Sequence, residues 1–109
     1  MNAKDRELVL RFKGRIDPKM AKRVLSVLAF GSRARGDGDQ DSDLDVAVLV
    51  DQRTKEIETS LEDAAYQMMW DNDFHPVISL KVFQKSRFDE ALRKGFSFYR
   101  HVTQDGVAV

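Results

Sequence analysis

Residues 24–50 read VLSVLAFGSRARGDGDQDSDLDVAVLV, two apolar runs separated by a polar loop. Val24–Phe30 is almost continuously apolar and has the length of a strand, which is typical of a central strand covered on both faces. Leu44–Val50 is apolar and rich in β-branched residues, and it predicts a second strand. The loop of about a dozen residues between them is long enough for either a hairpin-like return or a crossover.

The rest of the chain alternates between helical and strand patterns. Residues 54–70 place their apolar side chains on one stripe and predict a long amphipathic helix. Ser86 and Asp89 resemble a capping box that opens a later helix, and Gly95 ends it. The predicted elements are helix 5–12, strand 24–30, a helical turn from Ser32, strand 44–50, helix 54–70, strand 76–83, helix 86–94, a short helix through 96–102 and strand 107–109. The predicted fold class is α/β (α+β), a single domain over 1–109 with a small mixed sheet and helices mainly on one face.

Composition excludes several classes of function. The 109 residues include 18 basic and 18 acidic side chains, so a general polyanion binder, which usually carries a basic excess, is not expected. Because the chain has no cysteine, disulfide scaffolds, Cys-zinc sites and thiol catalysis are excluded. No apolar run reaches the ~18 residues of a membrane span, and the N-terminus lacks the apolar core of a signal peptide. The expected location is the cytoplasm, with no membrane contact.

Asp43 and Asp45 predict a metal site. Side chains two apart on a strand point to the same face, so these carboxylates lie together at the start of the second strand. Two neighbouring carboxylates repel each other unless a cation lies between them. Oxygen-only ligation of this kind suits Mg²⁺ or Mn²⁺, and Mg²⁺ commonly completes its shell with water and substrate phosphates.

The first predicted strand ends in a second feature, a candidate phosphate cradle. Gly31 lets a phosphate approach the backbone, and Ser32 offers a hydroxyl and an N–H at a predicted helix start. Arg33 and Arg35 add guanidinium donors that fork onto phosphate oxygens. A phosphate cradle beside a metal-binding pair indicates nucleoside-triphosphate chemistry with in-line attack on phosphorus.

Other loop types fit this segment less well. A Walker P-loop is excluded because Gly36 is followed by aspartate and not by lysine. A calcium loop competes, since alternating aspartates occupy its first ligand positions, but Ser42 replaces its glycine and Val48 its glutamate. The preceding aspartates are therefore interpreted as an exposed, soluble loop: Asp37, Asp39 and Asp41.

The string G-S-x-A-R-G followed by S-D-x-D resembles the nucleotidyltransferase superfamily related to DNA polymerase beta. That fingerprint is Gly-Ser, ten residues, then Asp-x-Asp, and the chain has Gly31-Ser32, the ten residues 33–42, then Asp43-Leu44-Asp45. The small size resembles the minimal nucleotidyltransferases, which in many bacteria and archaea are paired with a HEPN-domain protein as a toxin–antitoxin couple. The resemblance implies the fold of this superfamily, ATP as nucleotide substrate and Mg²⁺ or Mn²⁺ as cofactor. It also implies these roles: nucleotide binding by Gly31, Ser32, Arg33 and Arg35, and catalysis with metal binding by Asp43 and Asp45.

The chain departs from this family at one position. Active members usually carry a third acidic residue on the strand after the long helix. Here Val77, Ser79 and Lys81 are expected to share the face of the aspartate pair, so the position is filled by Ser79, or by Lys81. A neutral hydroxyl is a weak Mg²⁺ ligand and a poor base near neutral pH.

The resemblance implies a Mg²⁺-dependent enzyme that moves AMP from ATP onto a tyrosine hydroxyl of a partner HEPN toxin and acts as its antitoxin. The alternative is a weak or inactive nucleotidyltransferase-fold module that neutralises its partner by contact. A nucleic-acid-modifying transferase is a third reading, disfavoured by the neutral charge. The extra aromatic residues also allow a homo- or hetero-oligomer.

Overall fold

The computed structural model describes residues 1–109 and contains six helices and four strands. In chain order they are α1 Ala3–Gly14, α2 Pro18–Ala21, β1 Val24–Phe30, α3 Gly31–Arg35, β2 Leu44–Val50, α4 Lys55–Asp71, β3 Ile78–Gln84, α5 Lys85–Arg93, α6 Ser97–Asp105 and β4 Val107–Ala108.

The strands form one mixed sheet in the order β3-β2-β1-β4. β1 and β2 are antiparallel, so the loop between them is a hairpin-like return and not a crossover. β2 and β3 are parallel, and α4 makes the crossover that parallel neighbours require. β4 is a short antiparallel strand at the far edge, beside β1. The predicted mixed sheet is confirmed.

Helices cover both faces of the sheet, but unequally. Alternate residues of β2 such as Val46 and Val48 join the larger core of 19 buried residues, together with side chains of α1 and α4. The residues between them, Ala47 and Leu49, join a smaller cluster with Phe88 of α5 and a residue of α6. The larger core therefore lies between the sheet and the helices α1 and α4, and α5 and α6 cover part of the other face.

The strands β1 and β2 begin and end at the predicted residues, while several helix ends differ. Thr54 caps α4 as its side chain accepts a hydrogen bond from the N–H of Ile57. The predicted capping box is wrong: α5 begins at Lys85 without a side-chain cap, and the Ser86 hydroxyl accepts a hydrogen bond from the Gln84 amide.

Near the two prolines, the elements of the structure also differ from the predicted ones. The segment read only as a helix breaker contains α2, which Asp17 caps by accepting from the N–H of Lys19 and which Pro18 opens at a position where proline is tolerated. β3 begins at Ile78 and not at Pro76. None of the helices combines the length and the apolar composition needed to cross a membrane.

Candidate active site

The two predicted motifs meet at one end of the β1–β2 hairpin. Asp45 lies opposite Phe30 of β1 and beside Ser79 of β3 in the register of the sheet. Asp43 precedes β2, and its side chain is exposed, whereas Asp45 is half-buried. The hairpin therefore brings the end of β1, with the Gly-Ser pair that follows it, against the start of β2.

Gly31 touches the carboxylate of Asp45. Gly31 has a φ of +77°, and a Cβ added there would overlap the Oδ2 atom of Asp45. Any other residue would thus meet both a strained backbone and a steric clash. The glycine of the motif is required because the turn after β1 and the carboxylate of Asp45 approach each other this closely.

The loop after α3 folds back over Ser32. The Ser32 carbonyl accepts the N–H groups of Gly36, Asp37 and Gly38 at 3.0, 3.1 and 3.1 Å. A Cβ on Gly38 would lie 2.9 Å from the Ser32 hydroxyl and 3.1 Å from the Arg33 nitrogen, so Gly38 is part of the cradle. The sequence reading did not assign Gly38 a role, although the Gly-Asp-Gly spacing was visible.

Arg35 is held in place by two carboxylates. Its Nε donates to Asp37 at 3.2 Å, and its Nη1 donates to Asp105 of α6 at 2.9 Å. These hydrogen bonds raise the pKa of the Arg35 guanidinium, which stays charged. Its charge also favours ionisation of Asp45, so Arg35 lies at the predicted site. Asp105 had no sequence signal because it is 70 positions away.

The side chain of Arg33 contacts groups of its own chain. Its Nη1 donates to the carbonyl of Asp39 at 3.1 Å. Its Nε lies 3.6 Å from Oδ2 of Asp5, too far for a hydrogen bond, and is buried without a partner. Asp5 of α1 is the one buried charged residue of the chain. Both side chains line an open cleft of about 710 Å³ that does not include the aspartate pair.

The electrostatics of Asp45 describe a site that favours a cation. Burial and the neighbouring charge of Asp43 raise the pKa of Asp45. Three groups oppose that rise: the charge of Lys81, the neighbouring Ser79 hydroxyl and the charge of Arg35. A metal ion between the two carboxylates would relieve their repulsion far more strongly.

Of the two residues predicted for the third acidic position, Ser79 and Lys81, it is Ser79 that lies beside Asp45. Ser79 pairs with Asp45 in the register, and Lys81 lies one pair further along the same face. No group of three or more His, Cys, Asp or Glu side chains is arranged to hold a metal ion. Two carboxylates and a hydroxyl are nonetheless a hard oxygen donor set, which fits one Mg²⁺ completed by water and substrate phosphates.

The alternating aspartates divide as predicted. Oδ1 of Asp39 accepts from the N–H of Asp41 at 2.9 Å and from the Ser42 hydroxyl at 3.2 Å, so this carboxylate stabilises a turn. Asp37 pairs with Arg35, and Asp41 is exposed. These residues form the loop, and the carboxylates at the start of β2 remain the predicted site.

Comparison with known proteins bears on the family and the fold of the chain. No curated protein sequence matches the chain. A solved structure described as "Crystal structure of the toxin-antitoxin with AMP-PNP" has a similar fold, with a TM-score of 0.60 and 18% sequence identity over 94% of this chain and 69% of that chain. The family model of the nucleotidyltransferase domain matches residues 11–101, which include the Gly-Ser pair, both aspartates and the strand that carries Ser79. The chain therefore belongs to the nucleotidyltransferase domain family.

Proposed function

We propose that this chain, as a single domain over 1–109, is a Mg²⁺-dependent nucleotidyltransferase that transfers AMP from ATP to a tyrosine hydroxyl of a partner HEPN toxin and so acts as its antitoxin. The observation that carries the proposal is the contact between Gly31 and the carboxylate of Asp45. This contact supports the proposal because it sets the predicted phosphate-binding turn beside the predicted metal-binding carboxylate, and transfer of a phosphoryl-containing group requires both.

Each residue has a role in this reaction. Gly31 and Ser32 hold the triphosphate, and Arg35 neutralises phosphate charge. Asp43 and Asp45 hold the metal, which supplies charge neutralisation at the phosphate oxygens when it is bound. Arg33 was predicted to bind nucleotide too, but its contacts with Asp5 and the Asp39 carbonyl favour a role in positioning the loop.

The chemical step is an in-line displacement at the α-phosphorus of ATP. The acceptor oxygen forms a bond to this phosphorus, the bond to the bridging oxygen of the diphosphate breaks, and pyrophosphate leaves. The acceptor proton passes to solvent or to a group of the partner, because Ser79 is too weak a base to take it near neutral pH. The ammonium of Lys81 is close enough to influence Asp45 and adds positive charge to the same face.

The partner and the nucleotide are supported by the fold neighbour. That protein is a toxin-antitoxin whose structure contains AMP-PNP. A hydroxyl on a partner protein is the acceptor that we propose.

The first prediction concerns transfer itself. Wild-type chain, labelled ATP and Mg²⁺ should place label on the protein encoded beside it, and the Asp43→Asn/Asp45→Asn double variant should lose at least about a hundredfold in rate because the metal is no longer held. Autoradiography after gel electrophoresis measures the label. The matched control is Asp41→Asn, which removes an exposed loop carboxylate. Equal labelling by wild type and the double variant would exclude the proposed reaction.

A second candidate function follows from Ser79. Without a third carboxylate the chain can neutralise its partner by contact, with little or no transfer. In that case the Asp43→Asn/Asp45→Asn variant protects cells from the partner as well as the wild type does. Loss of protection in this variant, with partner binding intact, excludes the contact-only function.

A further inference from the structure

An aromatic patch lies on α4 and the turn that follows it, on the face opposite α5 and α6. Tyr66 and Trp70 are 52% and 60% exposed, although both are large aromatic residues. The rings of Tyr66, Trp70 and Phe74 contact each other edge-on, with centroids 5.5 to 6.2 Å apart. We call these three residues the aromatic patch. An exposed cluster of this kind is unusual on a surface that faces only water.

The backbone after α4 is strained in a way that builds the patch. Asp73 and Phe74 have φ values of +54° and +58°, a conformation rare for non-glycine residues and most unfavourable for a bulky one. The N–H of Phe74 donates to the carbonyl of Met69 at 2.7 Å and ends the helix. This turn presses the Phe74 ring against Trp70. Strain retained at a surface is often linked to function.

The patch continues into a groove along an open edge of the sheet. β3 is an edge strand that pairs only with β2. A groove of about 360 Å³ lies between α4 and this strand. It is lined by Glu62, Asp63, Ala65, Tyr66, Met69, Ile78 and Leu80. The groove is therefore apolar at its base, with the aromatic patch at one end and carboxylates on its rim.

The segment that carries the patch and the groove is acidic. Residues 56–80 contain six acidic residues and no lysine or arginine, although the whole chain has zero net charge. Arg15 pairs with Asp71 and Arg53 pairs with Glu58. The rim residues Glu62 and Asp63, and Asp73 beside the aromatic patch, belong to no ion pair.

This charge determines what can cover the surface. A second copy docked through the same patch would bring unpaired carboxylates against identical ones, which opposes a symmetric dimer. Nucleic acid and anionic membrane surfaces are repelled for the same reason. A protein segment with apolar side chains and flanking lysine or arginine residues satisfies both the groove and its rim.

We infer that this face is the docking surface for the partner protein, which contributes an apolar segment flanked by basic residues. The inference rests on the proposed function for the identity of the partner. β3 carries Ser79 and Lys81 beside Asp45 on its sheet face and lines the groove along its edge. The groove lies on the α4 face of β3 and the candidate active site on its other face, so a partner bound in the groove reaches the site around the free edge of β3.

The test measures binding and transfer separately. Isothermal titration calorimetry gives the affinity of the full chain for the protein encoded beside it. Trp70→Ala is expected to weaken binding at least tenfold, because exposed tryptophans in a groove are frequent binding hot spots. Phe96→Ala is the matched control, since Phe96 is an equally exposed aromatic residue before α6 and should leave the affinity unchanged. Both variants should bind ATP as the wild type does, which shows that they fold.

Charge reversal tests the rim. Glu62→Lys/Asp63→Lys should weaken partner binding, and the wild-type affinity should fall as salt is raised. Unchanged affinity in Trp70→Ala and in the charge-reversed variant would overturn the proposal. Analytical ultracentrifugation tests the alternative occupant, a second copy of this chain. If the wild type alone is a dimer and the Trp70→Ala variant is a monomer, the proposal is overturned in favour of a second copy.

The outcomes also separate this surface from the proposed reaction. If the Asp43→Asn/Asp45→Asn variant binds the partner normally, and neither the wild type nor any variant transfers label, the proposed docking surface is supported and the proposed reaction is wrong. If transfer occurs and is insensitive to Trp70→Ala, the reaction stands and the docking surface is wrong. Absence of any binding by the wild type counts against the docking surface and its partner together.

Discussion

At the scale of single residues, the site is defined by what surrounds Asp45. The sequence identified this carboxylate from its strand phase, and the structure adds the reason it is unusual: it is half-buried and lies beside Asp43. Both conditions raise the pKa of Asp45, so folding disfavours its charged form. A carboxylate pair without a cation between its members is therefore expected to reduce stability, in line with the common exchange of stability for function at active sites.

Asp45→Asn is expected to stabilise the metal-free protein at neutral pH. Because the folded pKa of Asp45 is raised, the folded state binds more protons than the unfolded state as the carboxyl titrates, and the contribution of Asp45 to stability falls as pH rises through that range. The gain from Asp45→Asn should therefore be small at acid pH, below both pKa values, and larger at pH ~7. Urea unfolding with a chelator present measures it. A variant less stable than wild type at neutral pH would contradict this account.

At the scale of elements, the junction between β1 and α3 is the most constrained part of the fold. The chain turns from strand to helix at Gly31, whose left-handed backbone and missing Cβ admit the carboxylate of Asp45. Gly36 ends α3 with a φ of +89° and faces open space. The two glycines thus share a backbone requirement, and only the first has a steric one.

Gly31→Ala and Gly36→Ala should differ for that reason. Gly36→Ala is expected to cost about 1–2 kcal/mol of unfolding free energy from its positive φ alone. Gly31→Ala should cost roughly 1–3 kcal/mol more, because its Cβ also displaces Asp45. Thermal and urea unfolding give both values, and ATP binding should weaken only in Gly31→Ala. Equal destabilisation by the two variants would argue against the close approach.

At the scale of the whole molecule, the N-terminal end of the chain and α1 contact the short helix α3. Asp5 is buried at the start of α1, and its nearest cation is Arg33, the residue directly after Ser32. The N-terminal amine also donates to the carbonyl of Ala34 at 3.0 Å. The first helix is therefore attached both to the large core and to the segment after β1. This long-range contact explains why Arg33 has a structural partner that no local motif revealed.

Arg33→Met should destabilise the protein by roughly 2–4 kcal/mol, since it leaves the carboxylate of Asp5 buried without a cation. The double variant Asp5→Leu/Arg33→Met should recover most of that loss, because a buried pair replaced by apolar side chains of similar size is often neutral. A double-mutant cycle from urea unfolding measures the coupling. Additive effects of the two substitutions would exclude an energetic link between α1 and the loop.

The sequence by itself determined the strands β1 and β2, the amphipathic α4 and the pairing of Gly31-Ser32 with Asp43 and Asp45. These features depend on local periodicity and on spacing within one hairpin, which are readable without a fold. The helix termini at Lys85 and Pro18 were misread, since several residues near each end can cap or break a helix. Only the tertiary structure decided which side chains meet across long separations. Arg35 pairs with Asp105, Asp5 is buried beside Arg33, and the aromatic patch lies beside an open strand edge. These contacts exist only once the sheet and helices have packed.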